Sequence, residues 1–149
     1  MRAVVQRVNS ASVAVEGQIV ARIRQGLLVY AAAAPDDAPA GVAYIAEKVA
    51  GLRVFPDADN KMNLSVRQAG GAVLLVSAFT VLADARKGRR PSFDASAAGD
   101  VAAPLIEQLA AGIRARGVAV ETGRFAAYMQ VESVNDGPIC ILLDSRRQL

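Results

Sequence analysis

Three side chains could act as nucleophiles beside the strongly apolar runs of this sequence. Ser77 and Thr80 follow one such run, and Cys140 lies inside the last one. The simpler interpretation is that the hydroxyls mark a strand end and that the thiol is inert in the core. The chain has no histidine, which excludes Ser-His and Cys-His catalysis and histidine-ligated metal sites within one chain. Any catalysis would therefore depend strongly on backbone groups.

A Gly137-Pro138 pair separates two apolar runs near the end of the chain. Proline has no N–H and a fixed φ, so it does not continue a ladder in the middle of a sheet. The pair is well suited to turning backbone carbonyls out of the sheet toward another group. An ordinary turn is the alternative interpretation.

A basic run, Arg86-Lys87-Gly88-Arg89-Arg90, places four cations in five residues just before Pro91. Such a run on a loop could contact phosphates. A solvated loop that aids solubility is the alternative, because the net charge of +3 is mild and neither requires nor excludes a nucleic-acid partner.

The composition is that of one globular domain of 149 residues with an apolar fraction of 53%. A single cysteine excludes an internal disulfide and a multi-cysteine zinc site, and no acidic cluster suggests a carboxylate magnesium site. No apolar run reaches the roughly 18 residues of a membrane span. The N-terminus alternates like a strand and lacks the features of a signal peptide. We therefore expect a cytoplasmic protein without a metal or other cofactor and without a membrane partner.

Apolar runs predict strands in the first part of the chain. Their spacing favours an antiparallel meander, and the fourth run is apolar throughout, as expected for a strand covered on both faces. The runs are residues 2–8, 10–15, 19–23 and 26–33.

Helix and turn signals come next. Pro35-Asp36-Asp37 predicts the start of a first helix with an acidic N-cap. Gly70-Gly71 predicts a hairpin that leads into a strand over residues 72–77. Asp100 predicts the N-cap of a second helix. The polar segment between that strand and the second helix is longer than most connections, which favours a functional loop.

Three further strands are predicted in the last part of the chain, at residues 118–121, 127–134 and 139–143. The elements add up to about eight strands and two helices. We therefore expect one α+β domain over residues 1–149, with a curved, antiparallel-rich β-sheet or barrel and two main helices.

Several short blocks, spread over the chain in one order, carry a family resemblance. They are residues 5–8, 11–17, 26–29, 61–64, 68–71, 90–93, 122–127, 129–131 and 135–138. On these blocks the chain resembles the bacterial-type D-aminoacyl-tRNA deacylases.

The resemblance implies a barrel-like homodimer that hydrolyses the ester bond of a tRNA mischarged with a D-amino acid. Gly137-Pro138 would be cis and would be inserted across the dimer interface, where its carbonyls exclude L-amino acids. Backbone N–H groups near Phe79 and Thr80 would stabilise an oxyanion, assisted by the 2′-hydroxyl of the terminal ribose. Glycine, which has no side chain to exclude, would be accepted. The residues expected to contact the acceptor end of tRNA are Lys87, Arg89, Arg90, Phe125 and Met129.

Two residues depart from the family pattern. Ala78 stands where the family usually has Gln, and Cys140 stands where it usually has Thr. The candidate catalytic residues are therefore Ser77, Ala78, Phe79, Thr80 and Cys140. Two alternatives stay open: a tRNA-binding relative with little or no turnover, and a thiol hydrolase that uses Cys140.

Overall fold

In the computed structural model, which describes residues 1–149, one long strand lies at the centre of the fold. Eight strands, two α-helices and one 3₁₀ turn make up the chain. The strands are β1 (Arg2–Val15), β2 (Gln18–Ile23), β3 (Gly26–Ala32), β4 (Phe55–Pro56), β5 (Met62–Leu64), β6 (Ala72–Ser77), β7 (Ala119–Thr122) and β8 (Gln130–Asp144). The helices are α1 (Pro39–Gly51) and α2 (Gly99–Arg114), and the 3₁₀ turn is Phe79–Leu82.

Strand β1 is continuous where the sequence predicts two strands. It pairs antiparallel with β3 through its first half, with β2 through its second half, and with β8 along its other edge. Asn9 is the extra residue of a bulge between the pairs Val8↔Asn135 and Ser10↔Val134, so the strand bends without ending. The predicted meander was wrong in one respect, because β2 and β3 pair with β1 and not with each other.

The rest of the main sheet is parallel. Strand β6 pairs parallel with β3, and β7 pairs parallel with β6, which gives the order β2-β1-β3-β6-β7. The predicted hairpin at Gly70-Gly71 was therefore wrong, since the segment before these glycines belongs to the long crossover that a parallel pair requires. The curved sheet with two helices confirms the α+β fold class.

Both faces of the central strands are buried, as the apolar run at residues 26–33 predicts. Leu27, Val29 and Ala31 of β3 belong to the large core cluster that the sheet forms with α1 and α2. Leu28 belongs to a second cluster on the opposite face, inside the curve of the sheet, together with Leu74 of β6. This alternation anchors β3 and β6 on both sides and fixes the place where their C-terminal ends leave the sheet.

Both predicted helix caps were wrong. Helix α1 begins at Pro39, whose ring suits the first turn, and its N-cap is Ala38; Asp37 instead accepts a hydrogen bond of 2.7 Å from the N–H of Ala34. Helix α2 has Ala98 as its N-cap, and Asp100 lies within its first turn. Neither helix has the length and apolarity needed to cross a membrane.

Candidate active site

A cleft of about 790 Å³ opens where β3 and β6 end side by side. Its lining is mostly apolar and contains no Asp, Glu, Lys, Arg or Cys side chain. Burial raises the pKa of Tyr30, one of the lining residues, so its phenol is neutral at physiological pH. Among the residues predicted from the sequence, the cleft brings together Ser77, Ala78, Phe79, Thr80, Phe125 and Met129.

The wall formed by the 3₁₀ turn carries free backbone donors. The chain leaves β6 after Ser77, and the N–H of Ala78 still bonds the Ala31 carbonyl at 2.9 Å. Within the turn, the Val81 N–H bonds the Ala78 carbonyl at 3.0 Å, but no side chain caps the N-terminal end. The first N–H groups of a helix have no acceptor within it. The N–H groups of Phe79 and Thr80 are therefore available to a ligand in the cleft.

The polar loop after the turn folds back over it. Asp84 and Ser92 form an isolated backbone bridge with N–O distances of 2.8 and 2.9 Å. Beyond this bridge, the ring of Phe93 meets that of Phe79 edge-on at 5.1 Å between centroids. The hydroxyl of Ser96 donates a hydrogen bond of 2.8 Å to the Phe79 carbonyl. Ser96 also lines the cleft, and no sequence motif pointed to it.

The opposite wall follows β7. The N–H of Gly123 bonds the Leu75 carbonyl at 2.9 Å, and a Cβ at Gly123 would come within 2.8 Å of the Met129 sulfur. Glycine at this position lets Met129 pack close to the end of β7, where both Phe125 and Met129 line the cleft. Tyr128 lies at the rim with 90% of its surface exposed, and sequence reasoning missed it as a cleft residue.

The basic run lies outside the cleft, on the part of the loop between Asp84 and Ser92. Arg86 is held locally, because its guanidinium bonds the Asp84 carboxylate at 2.9 and 2.6 Å, and this hydrogen bonding lowers the pKa of Asp84 to about 2. Lys87, Arg89 and Arg90 are exposed and form no ion pair. Three cations are therefore free to meet an anionic partner.

Gly137-Pro138 lies on a loop within β8 and does not line the cleft of its own chain. Between the pairs Val8↔Asn135 and Gln6↔Cys140, residues 136–139 of β8 stand against a single residue of β1, Arg7. The loop therefore leaves the ladder, as the Gly-Pro pair predicts. The Gly137-Pro138 peptide is cis, and both residues are exposed.

Side chains on either side hold this loop in place. The side-chain amide of Asn135 donates to the Ile139 carbonyl and accepts from the Ile139 N–H, each at 3.0 Å. Arg7 donates to the Asp136 carbonyl at 3.1 Å and pairs with the Asp136 carboxylate at 2.9 Å. A loop fixed by side chains on both of its flanks presents its backbone in a defined arrangement.

Cys140 follows the loop and does not line the cleft. Its predicted place in the core was wrong, because the side chain is exposed on β8, with the Gln6 amide nitrogen 3.8 Å from its sulfur. Its pairing with Gln6, which also pairs with Leu28, places Cys140 on the same face of the sheet as Leu28, and no ionisable side chain hydrogen-bonds the thiol.

Comparison with known proteins gives a consistent assignment. The family model described as D-Tyr-tRNA(Tyr) deacylase matches residues 4–144. The chain is 57% identical over 148 residues to a D-aminoacyl-tRNA deacylase of Koribacter versatilis (strain Ellin345), covering 99% of each chain. It is 52% identical over 147 residues to a D-aminoacyl-tRNA deacylase of Symbiobacterium thermophilum, covering 99% of this chain and 97% of the other.

Solved structures have the same fold. A structure of the c-Myc DNA Unwinding Element Binding Protein superposes with a TM-score of 0.90 at 34% identity, covering 97% of this chain and 98% of the other. A probable eukaryotic D-amino acid tRNA deacylase superposes with a TM-score of 0.83 at 19% identity, covering 96% and 98%, which shows the likeness of fold. The family resemblance of the sequence blocks is thereby confirmed: the chain belongs to the D-aminoacyl-tRNA deacylases, hydrolases of the ester bond between a D-amino acid and tRNA.

Proposed function

We propose that the cleft hydrolyses D-aminoacyl-tRNA with backbone hydrogen bonds and the substrate's own ribose, without a side-chain base. Water attacks the ester carbonyl carbon, and the charge that develops on the carbonyl oxygen is stabilised by the N–H groups of Phe79 and Thr80. The bond to the ribose oxygen then breaks. The neighbouring 2′-hydroxyl relays the proton from the attacking water to that leaving oxygen, and free D-amino acid and tRNA are released.

The observation that carries this proposal is a pair of uncapped N–H groups in a cleft whose lining has no carboxylate, amine, guanidinium, imidazole or thiol. One well-placed oxyanion donor contributes roughly 10²- to 10³-fold in rate. An aminoacyl ester is already activated, so positioning and charge stabilisation can supply most of the remaining acceleration. On this account the hydroxyls of Ser77 and Thr80 and the thiol of Cys140 are not nucleophiles.

We assign the exclusion of L-amino acids to Gly137-Pro138 of a second copy of the chain. The loop projects from β8 and does not reach the cleft of its own chain. Strand β8 pairs only with β1, so its other edge has no partner strand, and Val134 and Leu142 on this strand are 55% and 58% exposed. A second copy packed on the Leu142 face of this strand would bury that side chain, and we assign to the same arrangement the entry of the loop into the partner's cleft. Glycine would escape exclusion because it has no side chain.

The decisive experiment is hydrolysis of D-Tyr-tRNA, L-Tyr-tRNA and Gly-tRNA by the purified protein. We expect rapid release of D-Tyr and glycine and slow release of L-Tyr. Equal inertness toward all three substrates would refute the proposal. We expect the protein to act in the cytoplasm, where tRNA is charged.

Ala78 is the basis of the first of two alternatives that need a test of their own. It lines the cleft where the family usually has Gln, so a protein that binds tRNA with little turnover is the second candidate. On that alternative, Ala78→Gln would create activity that the unaltered protein lacks. On our proposal, the unaltered protein already turns over, because its donors belong to the backbone. Full activity of Cys140→Ala would likewise exclude the thiol hydrolase.

The exposed cations of the loop are expected to contribute tRNA binding. Arg89→Ala combined with Arg90→Ala should raise KM several-fold at 0.15 M salt with kcat nearly unchanged, because phosphate contacts act on binding. The slope of log affinity against log salt should become shallower by about 0.7 to 1 for each phosphate that the protein no longer neutralises. Binding measured across a salt series tests this.

Arg22→Ala combined with Arg24→Ala is the matched control, since both are exposed arginines, one on β2 and one in the turn that follows it, and neither lines the cleft. It changes the net charge by the same two units without touching the loop. A salt slope that falls equally in both variants would mean that overall charge, and not these two residues, governs binding.

A further inference from the structure

Ser96 makes the one side-chain hydrogen bond to the backbone of the 3₁₀ turn. Its hydroxyl donates to the Phe79 carbonyl at 2.8 Å, and the residue is half-buried in the wall of the cleft. It lies outside the sequence blocks that carry the family resemblance. The contact spans 17 positions of the chain, so it is a tertiary contact between the loop and the turn.

The Phe79 carbonyl belongs to the same peptide unit as the N–H of Thr80. The Phe79-Thr80 peptide is trans, with its C=O and N–H antiparallel in one plane. A hydrogen bond that fixes the carbonyl therefore also fixes the direction of the Thr80 N–H. It further polarises the peptide, which strengthens that N–H as a donor.

The loop is itself well anchored. The N–H of Ser96 bonds the Phe93 carbonyl at 3.0 Å, and the N–H of Ala97 bonds the Ala33 carbonyl, just beyond β3, at 2.8 Å. The Phe93 ring packs edge-on against Phe79 on the other side. The hydroxyl of Ser96 is thus connected to the sheet by a short path and can hold the peptide firmly.

We propose that Ser96 is a positioning residue that orients the Thr80 N–H toward the developing oxyanion. This role rests on the backbone mechanism proposed above and extends it to a side chain that never touches the reacting atoms. A donor of this kind must be held in place before the reaction, because small misplacements of catalytic groups are costly in rate. The hydroxyl matters in the transition state more than in substrate binding.

Ser96→Ala should therefore lower kcat for D-Tyr-tRNA about 5- to 10-fold while KM changes less than about twofold. Ser96→Thr, which keeps the hydroxyl, should restore most of kcat. Ser96→Val has nearly the same shape as the Thr variant without a hydroxyl and should stay impaired. Single-turnover rates and tRNA affinities of the four proteins, at equal thermal stability, measure the effect.

Ser92→Ala is the control within the same loop. The Ser92 hydroxyl bonds Asp94 at 2.8 Å and does not reach the Phe79 carbonyl, so its removal should leave kcat near that of the unaltered protein. A Ser92→Ala variant as slow as Ser96→Ala would show that loop order alone governs the rate and would overturn the proposal.

The remaining outcomes separate this proposal from the one on which it rests. An unaltered protein that hydrolyses D-Tyr-tRNA, together with an unimpaired Ser96→Ala variant, would overturn the role of Ser96 alone. Equal rates for Ser96→Thr and Ser96→Val would do the same. An unaltered protein without turnover would instead overturn the backbone mechanism, and the role of Ser96 with it.

Discussion

Phe79→Pro should lower kcat for D-Tyr-tRNA by about 10²- to 10³-fold, the loss expected for one oxyanion donor. Proline removes the N–H of residue 79, and its fixed φ suits the first position of a helical turn. A residue before proline avoids the α region. Ala78 already lies outside that region, with φ −146° and ψ 89°, so it tolerates a following proline. The substitution therefore deletes a backbone donor with little change of backbone path. Single-turnover hydrolysis at saturating protein measures it.

Phe79→Ala is the necessary companion, because both substitutions remove the ring that packs against Phe93 at 5.1 Å. The Ala variant keeps the N–H, so its rate should fall no more than about tenfold. The ratio between the two variants isolates the contribution of the donor. Equal rates in the two variants would mean that the ring and not the N–H serves catalysis.

Part of this site could be predicted from local sequence. The change from an apolar run to Ser77 marks the end of a strand, and the ends of parallel strands commonly form binding or catalytic sites. This segment lies close to Phe125 and Met129 only because of long-range pairing. Strand β6 pairs with β7, and the Gly123 N–H donates a hydrogen bond to the Leu75 carbonyl. Family resemblance, and not periodicity, placed Phe125 and Met129 among the site residues.

Ser96 and Tyr128 could not be found in this way. Ser96 lies in a segment whose local pattern resembles any surface loop, and Tyr128 lies in the predicted strand 127–134, which in the structure begins only at Gln130. Each lines the cleft only because the loop and the segment after β7 fold against the turn. The caps of α1 and α2 were misjudged for a similar reason. Asp37 has the chemistry of an N-cap, but its carboxylate is engaged by Ala34 and by the amine of Met1.

The sequence predicts two strands, at residues 127–134 and 139–143, where the structure has the single strand β8. Residues 136–139 bulge out of its pairing with β1, and the pairing resumes at Cys140. The side chain of Asn135 makes this possible, because it satisfies both backbone groups of Ile139 across the loop. Because side-chain hydrogen bonds here take the place of those between strands, the hydrophobic pattern does not show that the strand continues.

Gly137→Ala is expected to have the second large effect, a fall of about tenfold or more in the ratio of D-Tyr-tRNA to L-Tyr-tRNA hydrolysis. Gly137 has φ +149°, and a Cβ there would come within 2.5 Å of the Ile139 nitrogen and 2.7 Å of its Cγ1. A backbone atom at that distance cannot yield, so the loop must change its path and misplace the carbonyls that exclude an L side chain. Parallel rates with the two substrates measure the ratio.

Gly17→Ala provides the matched control. Gly17 also has a positive φ, +76°, but a Cβ there meets nothing within 4 Å. It should lower stability by about 1–3 kcal/mol through backbone strain alone and leave the ratio of D to L hydrolysis unchanged. A ratio that falls in both variants would attribute the loss of selectivity to general destabilisation.

Mixed dimers of Gly137→Ala and Phe79→Pro chains can decide whether the loop acts on its own cleft or on its partner's. The Phe79→Pro chain has an inactive cleft but an intact loop, and the Gly137→Ala chain has the reverse. If the loop acts across the interface, each mixed dimer holds one cleft with an active turn and an intact loop. Excess Phe79→Pro chain should then suppress L-Tyr-tRNA hydrolysis while D-Tyr-tRNA hydrolysis persists. If the loop acts within one chain, every active cleft keeps the altered loop and L-Tyr-tRNA hydrolysis continues unchanged.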